Sequence, residues 1–281
     1  MTQVNAMTVD VEDYFQVSAF EPYIPRQRWD EWPRRVEDNT RRILELFERQ
    51  GVRATFFTLG WVAERYPGLI RDIVERGHEL ACHGMEHVRV TEQTPEAFRR
   101  DVARAKAVLE DAGGTEVLGY RAASYSIGRD NLWALTVLQE LGFKYSSSIY
   151  PVKHDLYGMP EAPRFAFYPD QAPRLLEVPI TTVKMGGRNL PCGGGGFFRL
   201  YPYFVSRWAL RKVNEADGQP AVFYFHPWEI DPGQPRPSGL SFKTRLRHYL
   251  NLGRMEARLE WLLTDFKWDT MAEVFLTDDA N

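Results

Sequence analysis

The chain is poor in cysteine: of 281 residues only Cys82 and Cys192 are thiols. They could form one bridge in principle, and two free thiols in a reducing compartment are the expected reading. No apolar run approaches the ~20 residues that span a bilayer. The start, Met1-Thr2-Gln3-Val4-Asn5, lacks the basic region and long apolar stretch of an export signal. Both point to a cytoplasmic protein that is not integral to a membrane. Positive charge is not in excess either. Lys and Arg number 35 against 38 Asp and Glu, a net charge of -3, so no bulk field favours nucleic acid or an anionic membrane. The run Gly193-Gly194-Gly195-Gly196 lacks the Lys-Ser/Thr that would complete a phosphate loop. It reads as a close-approach or flexible loop near a cleft.

Apolar residues make up 44% of the chain, enough for a sizeable core. Eight Trp and 13 Tyr are a mild excess that a large aromatic core mostly explains; a surplus would suit a cleft in which sugar rings stack on aromatic faces. Seven short apolar or β-rich runs recur: Val4–Val9, Ala54–Leu59, Glu79–Cys82, Val117–Tyr120, Lys144–Ser147, Leu175–Ile180 and Ala221–Phe225. Helical patterns separate most of them. Val36, Ile43, Leu44 and Phe47 follow helical spacing and Gly51 ends that helix; Thr94 and Pro95 open another. Further helices are expected over Pro67–Arg76, Asn131–Leu141 and Tyr201–Asn214. The alternation predicts a parallel sheet covered by helices, and seven units suit a distorted barrel of (β/α)7 type. A single domain over 1–281 is expected, with the barrel over about 4–230 and a helical extension over about 231–281. Pro151–Pro173, rich in Pro and aromatics, reads as a long ordered loop over one end of the barrel.

The chemistry-bearing residues stand at the carboxyl ends of these strands, where barrel enzymes place their catalytic groups. Asp10-Val11-Glu12-Asp13 crowds three acids at the end of the first strand, which demands a compensating cation or base. His83-Gly84-Met85-Glu86-His87 gives two imidazoles at a spacing that can serve one metal ion. Phe223-Tyr224-Phe225-His226 ends a strand in histidine, a group able to move protons near neutral pH. Arg121 follows a strand directly and could pair with a carboxylate. Each signal alone has a bland reading: a solvated acidic turn, surface histidines, or a core histidine bonded to backbone. Their joint fall at strand ends favours an active site.

These runs resemble the motifs of the NodB-type polysaccharide deacetylases, carbohydrate esterase family 4. Thr8–Asp13 is similar to the family's first acidic motif. His83–His87 is similar to its metal-binding pair, Tyr120-Arg121-Ala122-Ala123 to its arginine motif, and Phe223–His226 to its final histidine motif. More narrowly, Thr8–Gln16 and Phe225-His226-Pro227-Trp228-Glu229 resemble deacetylases of bacterial exopolysaccharide loci of the PEP-CTERM/exosortase type. The resemblance implies one divalent metal, Zn²⁺ first, and an N-acetylated amino-sugar polymer or oligosaccharide as substrate, with other exopolysaccharide biosynthesis proteins as partners. It implies Asp10 as catalytic base, His226 as catalytic acid, Arg121 holding Asp10, and His83 and His87 as ligands with a first-motif carboxylate as third.

Which carboxylate is left open by the residues. Strand alternation puts Glu12 on the face of Asp10, whereas a turn beginning at Val11 favours Asp13, the preferred reading. Tyr125, His154, Asp155 and Trp228 are the candidate substrate contacts, and a backbone N–H of the Ala122–Tyr125 loop the candidate oxyanion donor. The acid that pairs with the catalytic histidine in the family has no counterpart at Ser146-Ser147-Ser148, and Asp155 is the nearest substitute.

Overall fold

A computed structural model describes residues 3–153 and 158–276. His154 and Asp155, two of the candidate substrate contacts, lie outside the described residues.

Strands β1 (Val4–Val11), β2 (Thr55–Thr58), β3 (Glu79–Cys82), β4 (Gly119–Tyr120), β5 (Tyr145–Ser146) and β6 (Leu176–Glu177) follow one another across a parallel sheet. A short antiparallel hairpin, β7 (Thr182–Met185) and β8 (Arg188–Pro191), comes next. Strand β9 (Val222–Phe225) returns to pair with β1 through Ala6–Val9, and β10 (Lys267–Asp269) pairs with the start of β1. The order β6-β5-β4-β3-β2-β1-β9 is therefore a parallel half-barrel of seven strands, the (β/α)7 architecture expected from the alternation.

Helices α1 (Val36–Gln50), α2 (Gly60–Arg65), α3 (Pro67–Glu75), α4 (Pro95–Gly113) and α5 (Trp133–Glu140) lie between the early strands. Helices α6 (Gly195–Leu200) and α7 (Tyr203–Glu215) precede β9. The expected C-terminal helices are α8 (Phe242–Tyr249), α9 (Leu252–Asp265) and α10 (Met271–Phe275).

Local rules explain the helix ends. Gly51 adopts φ +62° and lets Val52 N–H reach Phe47 O, closing α1. Thr94 Oγ1 accepts Ala97 N–H at 3.2 Å with Pro95 in the first turn of α4. The start of α1 is capped from a distance instead: Asp13 Oδ2 accepts Val36 N–H at 3.0 Å and Arg35 N–H at 2.7 Å.

Alternation along the strands divides the interior. Met7, Val9, Val11, Phe56, Leu80, Cys82, Phe223 and Phe225 face the helices and join the main core. Ala6, Phe57, Ala81, Tyr145, Val222 and Tyr224 face the barrel interior. With both faces covered, nearly every strand residue is buried, so these strands read as continuous apolar runs.

Three elements differ from expectation. The hairpin β7–β8 and strand β10 were not anticipated, because four- and three-residue runs carry little periodicity. The glycine run starts a helix as well as a close approach. A Cβ on Gly193 would stand 2.4 Å from Val222 O, one on Gly194 2.6 Å from the Tyr224 ring, and one on Gly195 1.8 Å from Glu229 Oε2. Cys82 and Cys192 are free and buried, and burial pushes both thiols up to about 12.

Candidate active site

The geometry is set where β1 ends. The strand runs to Val11, two residues past the expected Val9, and Glu12 N–H then bonds back to Asp10 O. Alternation is thus carried one step further than expected. Thr8, Asp10 and Glu12 all turn into the barrel.

Asp10 is fully gripped on one side. The buried Arg121 donates from Nη1 to Asp10 Oδ1 at 2.6 Å and to Thr8 Oγ1 at 2.8 Å. Arg121 itself is fixed by Ser147, through its carbonyl at 3.3 Å and its hydroxyl at 3.1 Å, and by the Phe57 ring 3.9 Å beneath its guanidinium. Glu177 steadies that support by accepting Ser148 N–H and Ile149 N–H, each at 2.8 Å. The other oxygen of Asp10, Oδ2, stays on the open side, 3.4 Å from Tyr125 Oη and 3.9 Å from His226 Nε2.

Glu12, His83 and His87 bring one ligand atom each to within 4.8 Å of one another. His83 Nδ1 faces Arg121 O at 2.8 Å, which fixes the ring and turns Nε2 inward. His87 stands at φ +54°, a left-handed backbone rare outside glycine; Ser124 and Tyr125 share it at φ +52°. Such strain collects at functional sites. Glu12 Oε2 lies 3.0 Å from His87 Nε2, yet it is buried and makes no hydrogen bond. Two ligand atoms side by side, not aligned on each other, suit a common third point. Burial opposes charge on Glu12, but the His87, His226 and His83 rings hold its carboxyl down at about 2. Burial also pushes His83 down to about 4, so it is a neutral ligand at pH 7. One carboxylate oxygen and two imidazole nitrogens are a donor set that fits Zn²⁺ with an open position.

The preference for Asp13 as third ligand is corrected. Its carboxylate is outside the trio of Glu12, His83 and His87 and is committed to the backbone: Oδ1 accepts Tyr14 N–H at 2.9 Å and Oδ2 the two amides that start α1. Burial pushes Asp13 up to about 6 against the pull of those amides. The structure places Glu12 where the first-motif ligand was sought.

His226 extends from the end of β9 between Asp10 and Glu12, with Nε2 3.6 Å from Glu12 Oε1. Sequence reasoning left its carboxylate partner at Asp155; it missed Glu229, three residues on. Glu229 Oε1 stands 3.8 Å from His226 Nδ1 and 3.2 Å from the buried Arg199 guanidinium. The turn Pro227–Ile230 makes this approach, and the near-absent side chain of Gly195 leaves room for it. The His-x-x-Glu spacing was the available signal. Burial opposes charge on His226, but Glu12 and Glu229, joined by Asp10, push it up to about 9.

Trp228 joins the site by stacking on His226 at 5.0 Å and donating Nε1–H to Glu12 Oε1 at 3.3 Å. Its other face stacks on His248 at 4.2 Å. Trp228 thus braces the acidic and basic groups as well as lining the cleft. Of the candidate oxyanion loop, Tyr125 N–H bonds Ala122 O and Ala122 N–H bonds Ser148 Oγ, so those two amides are already committed.

Asp10, Glu12, His83, His87, Tyr125, His226 and Trp228 share one cleft of about 470 Å³. Val17, Ser18, Ala19 and Pro22, and Lys243, Thr244 and Arg247 of α8, line the same cleft, and the sequence assigned none of them to it. Among the described residues no helix is long and apolar enough to cross a membrane.

Fold and site together place two histidines and a carboxylate, a set that could hold a metal ion, at the strand ends of a parallel half-barrel. Residues 27–146 match the sequence profile of the polysaccharide deacetylase family, and residues 147–276 match a domain of unknown function, DUF3473. Over 72 residues, 25% of this chain, the sequence is 35% identical to a peptidoglycan-N-acetylglucosamine deacetylase, PgdA, of Listeria monocytogenes. That stretch spans only 16% of the relative. A Mycobacterium smegmatis structure described as a polysaccharide deacetylase superimposes with a TM-score of 0.62 at 19% identity, covering 97% of this chain and 88% of that one. An allantoinase superimposes with a TM-score of 0.61 at 15% identity, covering 97% and 88%. The profile match and the relatives concern the first half of the chain, where the likeness to polysaccharide deacetylases lies; at these identities the two structures speak for the fold alone.

Proposed function

We propose that this protein is a metal-dependent carbohydrate N-deacetylase that releases acetate from an N-acetylated amino-sugar polymer or its precursor. One observation carries the reading: two carboxylates from one strand end are given opposite surroundings. Arg121 holds Asp10 on Oδ1, while Glu12 sits with His83 and His87. Environment thus separates a base from a ligand, the division of labour an amide hydrolase needs.

Glu12, His83 and His87 would hold the ion. When bound, it supplies Lewis-acid polarisation of an amide carbonyl and acidifies water. Asp10, with Arg121 on the opposite oxygen, accepts from Oδ2 the proton of the attacking water. His226, on the far side of Asp10, donates a proton from Nε2 to the leaving nitrogen, giving acetate and a free amine. Glu229 stands outside the metal trio, so its charge remains to favour protonated His226 after an ion takes up the charge of Glu12. Tyr125 and Trp228 line the cleft in which the sugar would sit.

The finer role, exopolysaccharide biosynthesis beside other proteins of that process, rests on the resemblance of Thr8–Gln16 and Phe225–Glu229 to that subgroup. A ureide or other non-sugar amide is the second reading, because the same base, acid and metal trio would serve another C–N bond on this scaffold. Acetate release is measured from N-acetylglucosamine oligomers, with allantoin in parallel, before and after chelation and Zn²⁺ refilling. Zn²⁺-dependent acetate release is expected. Activity that survives chelation, or hydrolysis of allantoin alone, overturns the proposal.

A further inference from the structure

The two histidines of the trio are fixed in different ways. His83 has a carbonyl on its second ring nitrogen, Arg121 O on Nδ1. His87 has no hydrogen bond on Nδ1 among the described residues; its Nε2 alone meets a partner, Glu12 Oε2 at 3.0 Å. Where its ring points therefore depends on the backbone that carries it. That backbone is left-handed, φ +54°, a conformation that a residue with a Cβ keeps only when its neighbours impose it.

The loop from Gly84 to His87 is held from two sides. On the helix side, Gly60 N–H and Trp61 N–H, at the start of α2, bond Gly84 O and Met85 O, each at 2.9 Å, and Asp101 Oδ2 of α4 accepts Met85 N–H at 3.1 Å. On the other side stands Arg26. Its Nε donates to Glu86 O at 2.9 Å and its Nη2 to His87 O at 3.2 Å. Among the described residues no other group donates to these two carbonyls. The guanidinium is itself anchored: Glu21 Oε1 lies 2.6 Å from Nη2, and Glu21 Oε2 accepts from Arg89 Nη2 at 3.3 Å. Arg26 opens the turn Arg26–Glu31, whose buried Trp29 meets Trp61 edge-to-face at 5.7 Å. The turn is thus seated on the same start of α2 that holds Gly84 and Met85.

We propose that Arg26 is a positioning residue for the metal trio: gripped by Glu21, it holds the Glu86 and His87 carbonyls and so keeps His87 in the left-handed conformation that carries its Nε2 to Glu12 and His83. The inference rests on the reading of Glu12, His83 and His87 as a metal site and deepens it. The chain that leaves the barrel after Glu12 returns as Arg26, so one stretch supplies a ligand and the clamp on another. Geometry and charge make opposite predictions. A cation near a metal site repels the ion, so losing the charge of Arg26 would by itself tighten Zn²⁺ binding. Losing the clamp frees His87 and weakens it.

The test titrates Zn²⁺ into the chelator-dialysed full chain against a competing chelator. Arg26→Met should bind Zn²⁺ about 10–100-fold more weakly than the wild type, the range typical when the support behind a ligand is lost. Its metal-free melting temperature should hold, because Arg26 is partly exposed and grips a loop. Arg26→Lys keeps the charge but lacks the fork that reaches two carbonyls at once, so its affinity should fall between those of the wild type and Arg26→Met. Loaded with Co²⁺, Arg26→Met should show a visible absorption band shifted from that of the wild type, because the histidine meets the ion at a different angle. If Arg26→Met does not fold, Glu21→Gln, which leaves Arg26 in place without its anchor, should weaken Zn²⁺ binding in the same direction. Three results overturn the proposal: equal Zn²⁺ affinity in the wild type and the folded variants, tighter binding by Arg26→Met, or a loss of affinity that only follows a fall in metal-free stability. A wild type that binds no Zn²⁺ overturns the metal reading and this inference with it. Weakened binding by Arg26→Met beside a wild type that holds Zn²⁺ but releases no acetate would refute the deacetylase reading and leave this one standing.

Discussion

Replacing Glu12 by Gln and Asp13 by Ala separates ligand from cap. An ion that binds only the folded state at a hundred times its dissociation constant stabilises by ~2.7 kcal/mol. For a chain of this size ~1 kcal/mol moves the melting temperature by about 2 °C, so Zn²⁺ should raise the metal-free wild type by about 5 °C. Glu12→Gln removes the only carboxylate of the trio and should lose most of that rise. Asp13→Ala strips the acceptor from the N–H groups of Tyr14, Arg35 and Val36. Leaving two or three amides short of a partner costs about 2–5 kcal/mol, or about 4–10 °C in melting temperature. That variant should melt lower yet keep the full Zn²⁺ increment. The assay is a thermal melt of chelator-dialysed protein, with and without Zn²⁺. If Asp13→Ala abolishes the increment and Glu12→Gln keeps it, the assignment made from the length of β1 is wrong.

Three further outcomes are expected. Asp10→Asn should retain Zn²⁺ but lose about 10²–10⁴ in kcat, and should melt lower because the buried Arg121 loses its counterion; near-wild-type turnover would reassign the base. Burial holds His78 down at about 4, with Nδ1 accepting Ala54 N–H, so the folded state keeps it neutral. Its depressed pKa makes its contribution complete above pH ~6.5 and lost as pH falls towards 4, a difference of about 3 kcal/mol. His78→Gln should flatten the denaturant-measured stability profile across that window, and an unchanged slope would contradict the assignment. Gly195→Ala places a Cβ against the buried Glu229 carboxylate and should cost about 1–3 kcal/mol in chemical denaturation while lowering kcat more than it raises KM. Equal stability would mean that this close approach is not rigid.

Much of this protein is written locally. The alternation of apolar runs with helical stripes gave the half-barrel, because parallel strands covered on both faces need continuous apolar sequence and the helices between them need only one apolar side. Thr94, Pro95 and Gly51 marked helix ends because capping uses neighbours in the chain. His83, His87, Asp10, Arg121 and His226 were legible because each stands at or just past a strand end, and strand ends converge in a barrel.

What depended on distant parts of the chain was not legible. Asp13 and Glu12 are adjacent and chemically alike; only the pairing of β1 through Val11 with Thr58 of β2, and the arrival of the α1 start beside Asp13, sent one to the histidines and the other to a helix cap. Strand β10 exists because the first residues of β1 offer it a ladder. Glu229 was in plain sight three residues after His226, yet its role needed Arg199 and the bare flank of Gly195 to seat a buried charge. Sequence by itself determined which groups stand at the strand ends. Tertiary structure decided which of them share a point in space, because hydrogen-bond partners brought from afar, not residue type, set where each carboxylate turns.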